Sequence, residues 1–182
     1  MKKNLLVSLL VLLMSSFAFA GFVDGTFLCT FPDDPCGLIH DWDFDDVEDS
    51  LSLYENIHAL GIDQVVMSGE TTTDPIFRTT KWVTNESGVA WTSYELTLGA
   101  SGPLFVGTTS SDLFSSAVIS DGGLKITYSG GVVNPNDEVA LNFRVQVFTT
   151  GGFSTCLTQN PIPEPATLTL LGLGALAFIR RK

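Results

Sequence analysis

An antiparallel β-sandwich, Ig-like or jelly-roll-like, is the fold class this sequence predicts, on three observations. The first is strict period-two alternation in "EVALNFRVQVFTT". There Val139, Leu141, Phe143, Val145 and Val147 fall on one side, and Ala140, Asn142, Arg144, Gln146 and Phe148 on the other. The second is a series of short segments rich in β-branched and aromatic residues, separated by Gly, Asn, Ser and Pro clusters. The third is the lack of a strand-helix-strand rhythm that would demand a parallel sheet covered by helices. An open barrel is the alternative closure for the same strands.

Along the chain, residues 1–20 read as a cleaved secretory signal. Lys2 and Lys3 precede the apolar run 5–14, and Ala18-Phe19-Ala20 supplies small residues for cleavage, so the mature chain starts near Gly21. Strands are then expected over 25–31, 64–68, 77–84, 90–98 and 104–108. Another is expected at "LKITYS", where Leu124, Ile126 and Tyr128 alternate after the Asp121-Gly122-Gly123 turn, and a last one at the segment quoted above. A short helix is expected near 46–60. Val47, Leu51, Tyr54 and His58 have helical spacing, Asp45 or Asp46 can cap its start and Gly61 its end, although "SLSLY" also alternates with period two.

Within "IFRTTKWVTNESGVAWTSYELTL" a loop at Asn85-Glu86-Ser87-Gly88 predicts a hairpin. Its register sets Trp82 opposite Trp91, Thr80 opposite Ser93 and Arg78 opposite Glu95. Phe77, Val83, Tyr94, Leu96 and Leu98 then line the core face. Trp82 and Trp91, paired on the solvent side, form a candidate ligand surface able to stack on sugar rings, with packing under a loop as the competing role. Asn85-Glu86-Ser87 also spells a glycosylation sequon.

At the far end, 166–179 is apolar and as a helix would extend about 21 Å, against a hydrocarbon core of about 30 Å. Pro163 and Pro165 bar an earlier start, and Arg180, Arg181 and Lys182 can snorkel at the membrane face. Positive charge stays inside the cell, so both ends agree on one topology in which the middle crosses the membrane.

Pro163-Glu164-Pro165, a Leu/Gly/Ala-rich segment and a terminal Arg-Arg-Lys, in that order, resemble the PEP-CTERM sorting signal. The resemblance implies processing near the tripeptide by a membrane-embedded exosortase, after signal peptidase has acted at the other end. Membrane insertion would be transient, and delivery would be to the bacterial cell surface or extracellular matrix, with exopolysaccharide as a partner there. The chain thus divides into a signal peptide (1–20), a sandwich domain (21–160) and a sorting signal (161–182) with a short transmembrane segment (166–179). Val83, Asn85, Ser87, Gly88, Trp91, Thr92 and Tyr94 further resemble a signature recurrent in domains that carry this tail. That resemblance implies fold and compartment, and no reaction.

Without its ends the chain keeps four cations, Arg78, Lys81, Lys125 and Arg144, against 19 acids, a balance of −15. Such a surface repels phosphate backbones and excludes nucleic acid as a partner. The cysteines Cys29, Cys36 and Cys156 meet an oxidising compartment after export. Cys29 and Cys36 bracket "TFPDDP" and are the expected disulfide, worth roughly 2–3 kcal/mol on the chain-entropy account. Pairings of Cys156 with either remain open on sequence alone.

No catalytic residues and no cofactor are expected. His40 and His58 are the only histidines, and no nucleophile elbow, zinc-protease motif or phosphate-cradling loop occurs. Paired carboxylates of a glycosidase are the residual enzymatic alternative. No metal site is assigned. "HDWDFDDVED" gathers Asp41, Asp43, Asp45, Asp46, Glu48 and Asp49 in a way that begins like a calcium loop, but Asp46 stands where the turn needs Gly and Ser52 where a bidentate Glu belongs. A solvated acidic loop is the expectation there. The function that follows is a structural or adhesive component without catalysis, the alternative being a carbohydrate-binding module built on Trp82 and Trp91.

Overall fold

The computed structural model describes residues 26–29, 37–45, 48–71, 76–99, 102–148 and 151–164. Among the described residues twelve strands follow one another: β1 (Thr26–Cys29), β2 (Gly37–Asp45), β3 (Ser50–Ile57), β4 (Asp63–Thr71), β5 (Ile76–Asn85), β6 (Trp91–Leu98), β7 (Leu104–Phe105), β8 (Ser110–Ser111), β9 (Ser116–Ser120), β10 (Lys125–Val133), β11 (Glu138–Gln146) and β12 (Gly151–Pro163). They form two six-stranded sheets. One has the order β1-β4-β12-β6-β10-β9; the other is β2-β3-β5-β11-β7, with β8 also on β11. The sheets enclose one apolar cluster to which both contribute, including Val65, Leu96, Tyr128 and Leu157 from the first and Ile57, Val83, Leu141 and Phe143 from the second. This is the expected sandwich, with two open sheets and no barrel closure among the described residues.

Every strand pairing among the described residues is antiparallel except β3 with β5, where Leu53 lies opposite Lys81 and Glu55 opposite Val83. The parallel pair follows from the path of the chain. Between β3 and β5 it crosses to the first sheet as β4 and returns.

The expected helix near 46–60 is instead mostly strand. Leu51, Leu53, Glu55 and Ile57 point inward in alternation, so the period-two reading of "SLSLY" prevails over the helical one. Sheet pairing on both flanks of β3 outweighs weak local helix preference. The expected acidic loop is largely the edge strand β2, whose Asp41, Asp43 and Asp45 are exposed. Charges along an edge deter pairing with a foreign strand.

The expected β5–β6 hairpin does not form. β5 pairs with β11, which sets Arg78 opposite Arg144, whereas Glu95 on β6 makes an ion pair with Lys125 of β10 at 2.7 Å. Residues 86–90 carry the chain from one sheet to the other. The core faces assigned from the pattern nevertheless hold, since Phe77, Val83, Tyr94, Leu96 and Leu98 are all buried.

Candidate functional site

Three features converge on the centre of the sandwich: the inter-sheet crossover, a buried ionic cluster and the final strand. At the crossover Asn85 ends β5 with its side chain fully buried. Its Nδ2 donates to the Val89 carbonyl at 2.9 Å and the Val133 carbonyl at 3.0 Å. Its Oδ1 accepts from the Ser87 amide at 3.1 Å and the Ser87 hydroxyl at 2.7 Å. Trp91 Nε1 in turn donates to Ser87 Oγ at 3.1 Å, and Gly88 supplies the left-handed turn with φ of 76°. The signature residues are thus a structural knot. Asn85 has both amide hydrogens engaged in the interior, so the sequon does not present a free acceptor.

Trp82 and Trp91 do not form a platform. They lie on different sheets, and Trp91 is 0% exposed, packed against Tyr94 with ring centroids 5.8 Å apart. A register shift in the pairing of β6 with both neighbours explains the burial. It places Trp91 inward together with Tyr94, three residues on, where strict alternation would separate them.

The ionic cluster is the feature the sequence concealed. Lys81 of β5 and Glu55 of β3, 0% and 1% exposed, form an ion pair through Nζ and Oε2 in the core. From the opposite sheet Gln159 Nε2 donates to Glu55 Oε1 and, at 3.3 Å, to Asp63 Oδ2, while its Oε1 accepts from the Tyr94 hydroxyl at 2.8 Å. Burial pushes the Glu55 carboxyl above the ordinary carboxylate range. Lys81 opposes that shift and Asp63 adds to it. Burial likewise drives the Tyr94 hydroxyl well up, with the negative charges of Glu55 and Asp63 acting in the same sense. Opposite-charge contact at full burial made these residues legible only after the fold was known, because each spoils the apolar alternation of its own strand.

The last strand, β12, lies between β4 and β6 and supplies both Gln159 and the first residue of the tripeptide. Beyond the Gln159–Asp63 pair it loses β4 and continues along β6 alone. Pro161 lies opposite Tyr94 and Pro163 opposite Trp91. A strand with one open side tolerates proline, which cannot donate to a second neighbour. Thr92 Oγ1 donates to the Pro163 carbonyl at 3.5 Å, and the Glu164 amide donates to the Ala90 carbonyl at 3.4 Å. Among the described residues the sandwich therefore runs past the expected boundary at 160 and reaches Pro163, the first residue of the tripeptide. Residues 161–182 match the PEP-CTERM protein-sorting motif.

The chain carries a PEP-CTERM sorting signal. That signal marks an exported bacterial protein processed by an exosortase and sorted toward the cell surface or extracellular space. Pro165, Arg180, Arg181, Lys182 and the segment 166–179 lie outside the described residues, as do the signal peptide and Cys36. Cys29 lies on β1, and Cys156, half-buried on β12, is in no disulfide among the described residues. Among those residues no helix is long and apolar enough to cross a membrane.

No curated protein sequence matches the chain significantly. Among solved structures, the chitin-binding domain of a hyperthermophilic chitinase from Pyrococcus furiosus aligns at 10% identity, covering 70% of this chain and 91% of that one, with a TM-score of 0.26. The CBM3a-L domain of scaffoldin cipA from Clostridium thermocellum aligns at 9% identity over 71% and 69% of the two chains, with a TM-score of 0.17. Likenesses this distant carry no argument about the site.

Two other surfaces complete the picture. The acidic donors Asp41 and Asp43 follow an extended strand, in which alternate residues are about 6.6 Å apart, so they do not wrap a common centre. Among the described residues no three His, Cys, Asp or Glu side chains gather as a metal site would require. An apolar cleft between the sheets is lined by Phe44, Leu51, Met67, Phe77, Thr79, Val145, Val147 and Phe153, with Thr79 as its one polar side chain.

Proposed function

We propose that the sandwich is the cargo itself: a structural or adhesive, non-catalytic component of the bacterial surface or extracellular matrix, released there by the exosortase. The observation that carries this reading is continuity. The strand that holds the centre of one sheet runs without a linker into the sorting tripeptide, so processing near the tripeptide delivers a finished domain. A second observation supports the absence of catalysis. The buried ionic cluster, in which the Glu55 carboxyl is pushed up by burial, is sealed in the core at 0–2% exposure, where no substrate reaches it. An acidic exterior suits a protein that stays soluble outside the cell, and exopolysaccharide is the partner that the compartment offers.

The test is made in the native host. The wild-type chain is expected in surface or matrix fractions, and the triple variant Pro163→Ala, Glu164→Ala, Pro165→Ala is expected to stay in the membrane fraction, with matrix cohesion lost in both the variant and a deletion strain. Turnover of a glycoside or ester by the purified surface form, abolished by changing a single acid, would contradict the reading.

A further inference from the structure

A lysine and a glutamate held in contact in a dry core are the two reactants of an amide. Glu55 and Lys81 sit on adjacent parallel strands, on the inward face of both, and touch through Oε2 and Nζ. Neither is solvated, and the surrounding groups are Tyr94, Gln159 and Asp63, themselves 0%, 0% and 2% exposed. In such a place each charge is costly, and proton transfer from ammonium to carboxylate, which leaves a neutral amine beside a neutral acid, is far easier than in water.

We propose that Lys81 and Glu55 condense within the folded chain to an amide between Nζ and Cδ, with release of one water.

The step balances without any co-reactant. The ammonium first gives a proton to Oε2, and the freed nitrogen lone pair then adds to Cδ. The nitrogen passes a second proton to the departing Oε2 hydroxyl, and the Cδ–Oε2 bond breaks as water leaves. One cation and one anion become a neutral link. Gln159 Nε2 already donates to Oε1, the oxygen on which negative charge grows during addition, and remains its partner in the product. Fixed contact between the reacting groups supplies the advantage of an intramolecular reaction, for which effective concentrations reach about 10⁵–10⁸ M. The raised pKa of Glu55, caused mainly by burial, favours the protonated acid that the step requires. Water that leaves the core does not readily return to reverse it. The product ties β3 to β5 across the excursion through β4, a covalent staple independent of the cysteines. This inference does not depend on the surface role proposed above.

Trypsin reads the link directly. In the wild-type chain purified from its host and then denatured, an unreacted Lys81 is a cleavage site between Arg78 and Lys125, whereas an amidated Lys81 is not. The expected digest lacks the free Thr79-Thr80-Lys81 tripeptide. It contains a branched species joining residues 79–125 to the peptide that holds Glu55 and ends at Arg78, lighter than the sum of the two by one water. The variant Lys81→Arg keeps a cation but no competent amine and is expected to give no branched species. Release of the Thr79-Thr80-Lys81 tripeptide in full yield from folded wild-type chain, with the Glu55 peptide linear, overturns the proposal.

Discussion

Asn85 is the residue on which the crossover depends. Both its amide hydrogens and its carbonyl oxygen are committed, to the crossover loop and to the end of β10, so Asn85→Ala leaves the Val89 and Val133 carbonyls and the Ser87 hydroxyl without those contacts. A loss of about 3 kcal/mol is expected in denaturant unfolding, from stranding several polar groups at once. The two tryptophans of the discarded platform separate in the same assay. Trp91→Ala, at a fully buried site, is expected to cost about 3–5 kcal/mol, and Trp82→Ala, at a half-buried one, clearly less. Comparable costs for the two would contradict the register shift in β6.

The buried hydroxyls make a second residue-scale prediction. Burial raises the pKa of both Tyr94 and Tyr128, the latter against a lowering hydrogen bond from Thr109. An unfolded tyrosine ionises near pH ~10, so above that pH the folded chain retains protons that the unfolded chain has released. Their contribution to stability is therefore fully present below about pH 10 and is lost as pH rises through the folded values. Phenolate absorbance in an alkaline titration is expected to fall short of all three tyrosines until the chain unfolds, and then to complete in step with unfolding. Smooth ionisation of all three in the folded state would contradict the burial of Tyr94.

At the scale of elements, legibility followed chemistry. β11 and β10 were readable because their inward positions are apolar throughout: Val139, Leu141, Phe143 and Val145 in one, Ile126 and Tyr128 in the other. β3 and β12 were not. Glu55 occupies an inward position of the first, and Thr155, Gln159 and Pro161 hold inward positions of the second. The side chains that broke the pattern are largely those that meet in the core, so the sequence obscured the strands at the place where the interior carries polar chemistry. The hairpin error has a related cause. Apart from Trp91, which the register shift turns inward, the residues assigned to the core face of each strand are buried, but local register could not reveal that the two faces look at each other from opposite sheets. The sorting tail and the acidic character were legible because they rest on composition and order along the chain, which need no partner strand.

One element-scale test concerns the irregularity in β10. Gly131 passes so close to the loop before β9 that an added Cβ would lie 2.0 Å from the Leu113 carbonyl oxygen, whereas at Gly152 of β12 a Cβ meets nothing within 4 Å. Gly131→Ala is expected to cost about 1–3 kcal/mol or more by overpacking, and Gly152→Ala to be near neutral in the same melt. Equal effects would mean that the loop does not cross there.

For the whole molecule, the account joins compartment to architecture. One apolar core, an acidic exterior and a strand that reaches into the sorting tripeptide describe a domain completed before it is released. Because Pro161, Ile162 and Pro163 are paired to β6, release is expected to leave them on the domain. Mass analysis of the C-terminal peptide of the chain recovered from the bacterial surface tests this most directly. The account predicts a terminus at or shortly after Glu164, with the apolar segment and its basic end gone; a surface form that retains residues 166–182, or one cut before Pro161, would contradict it.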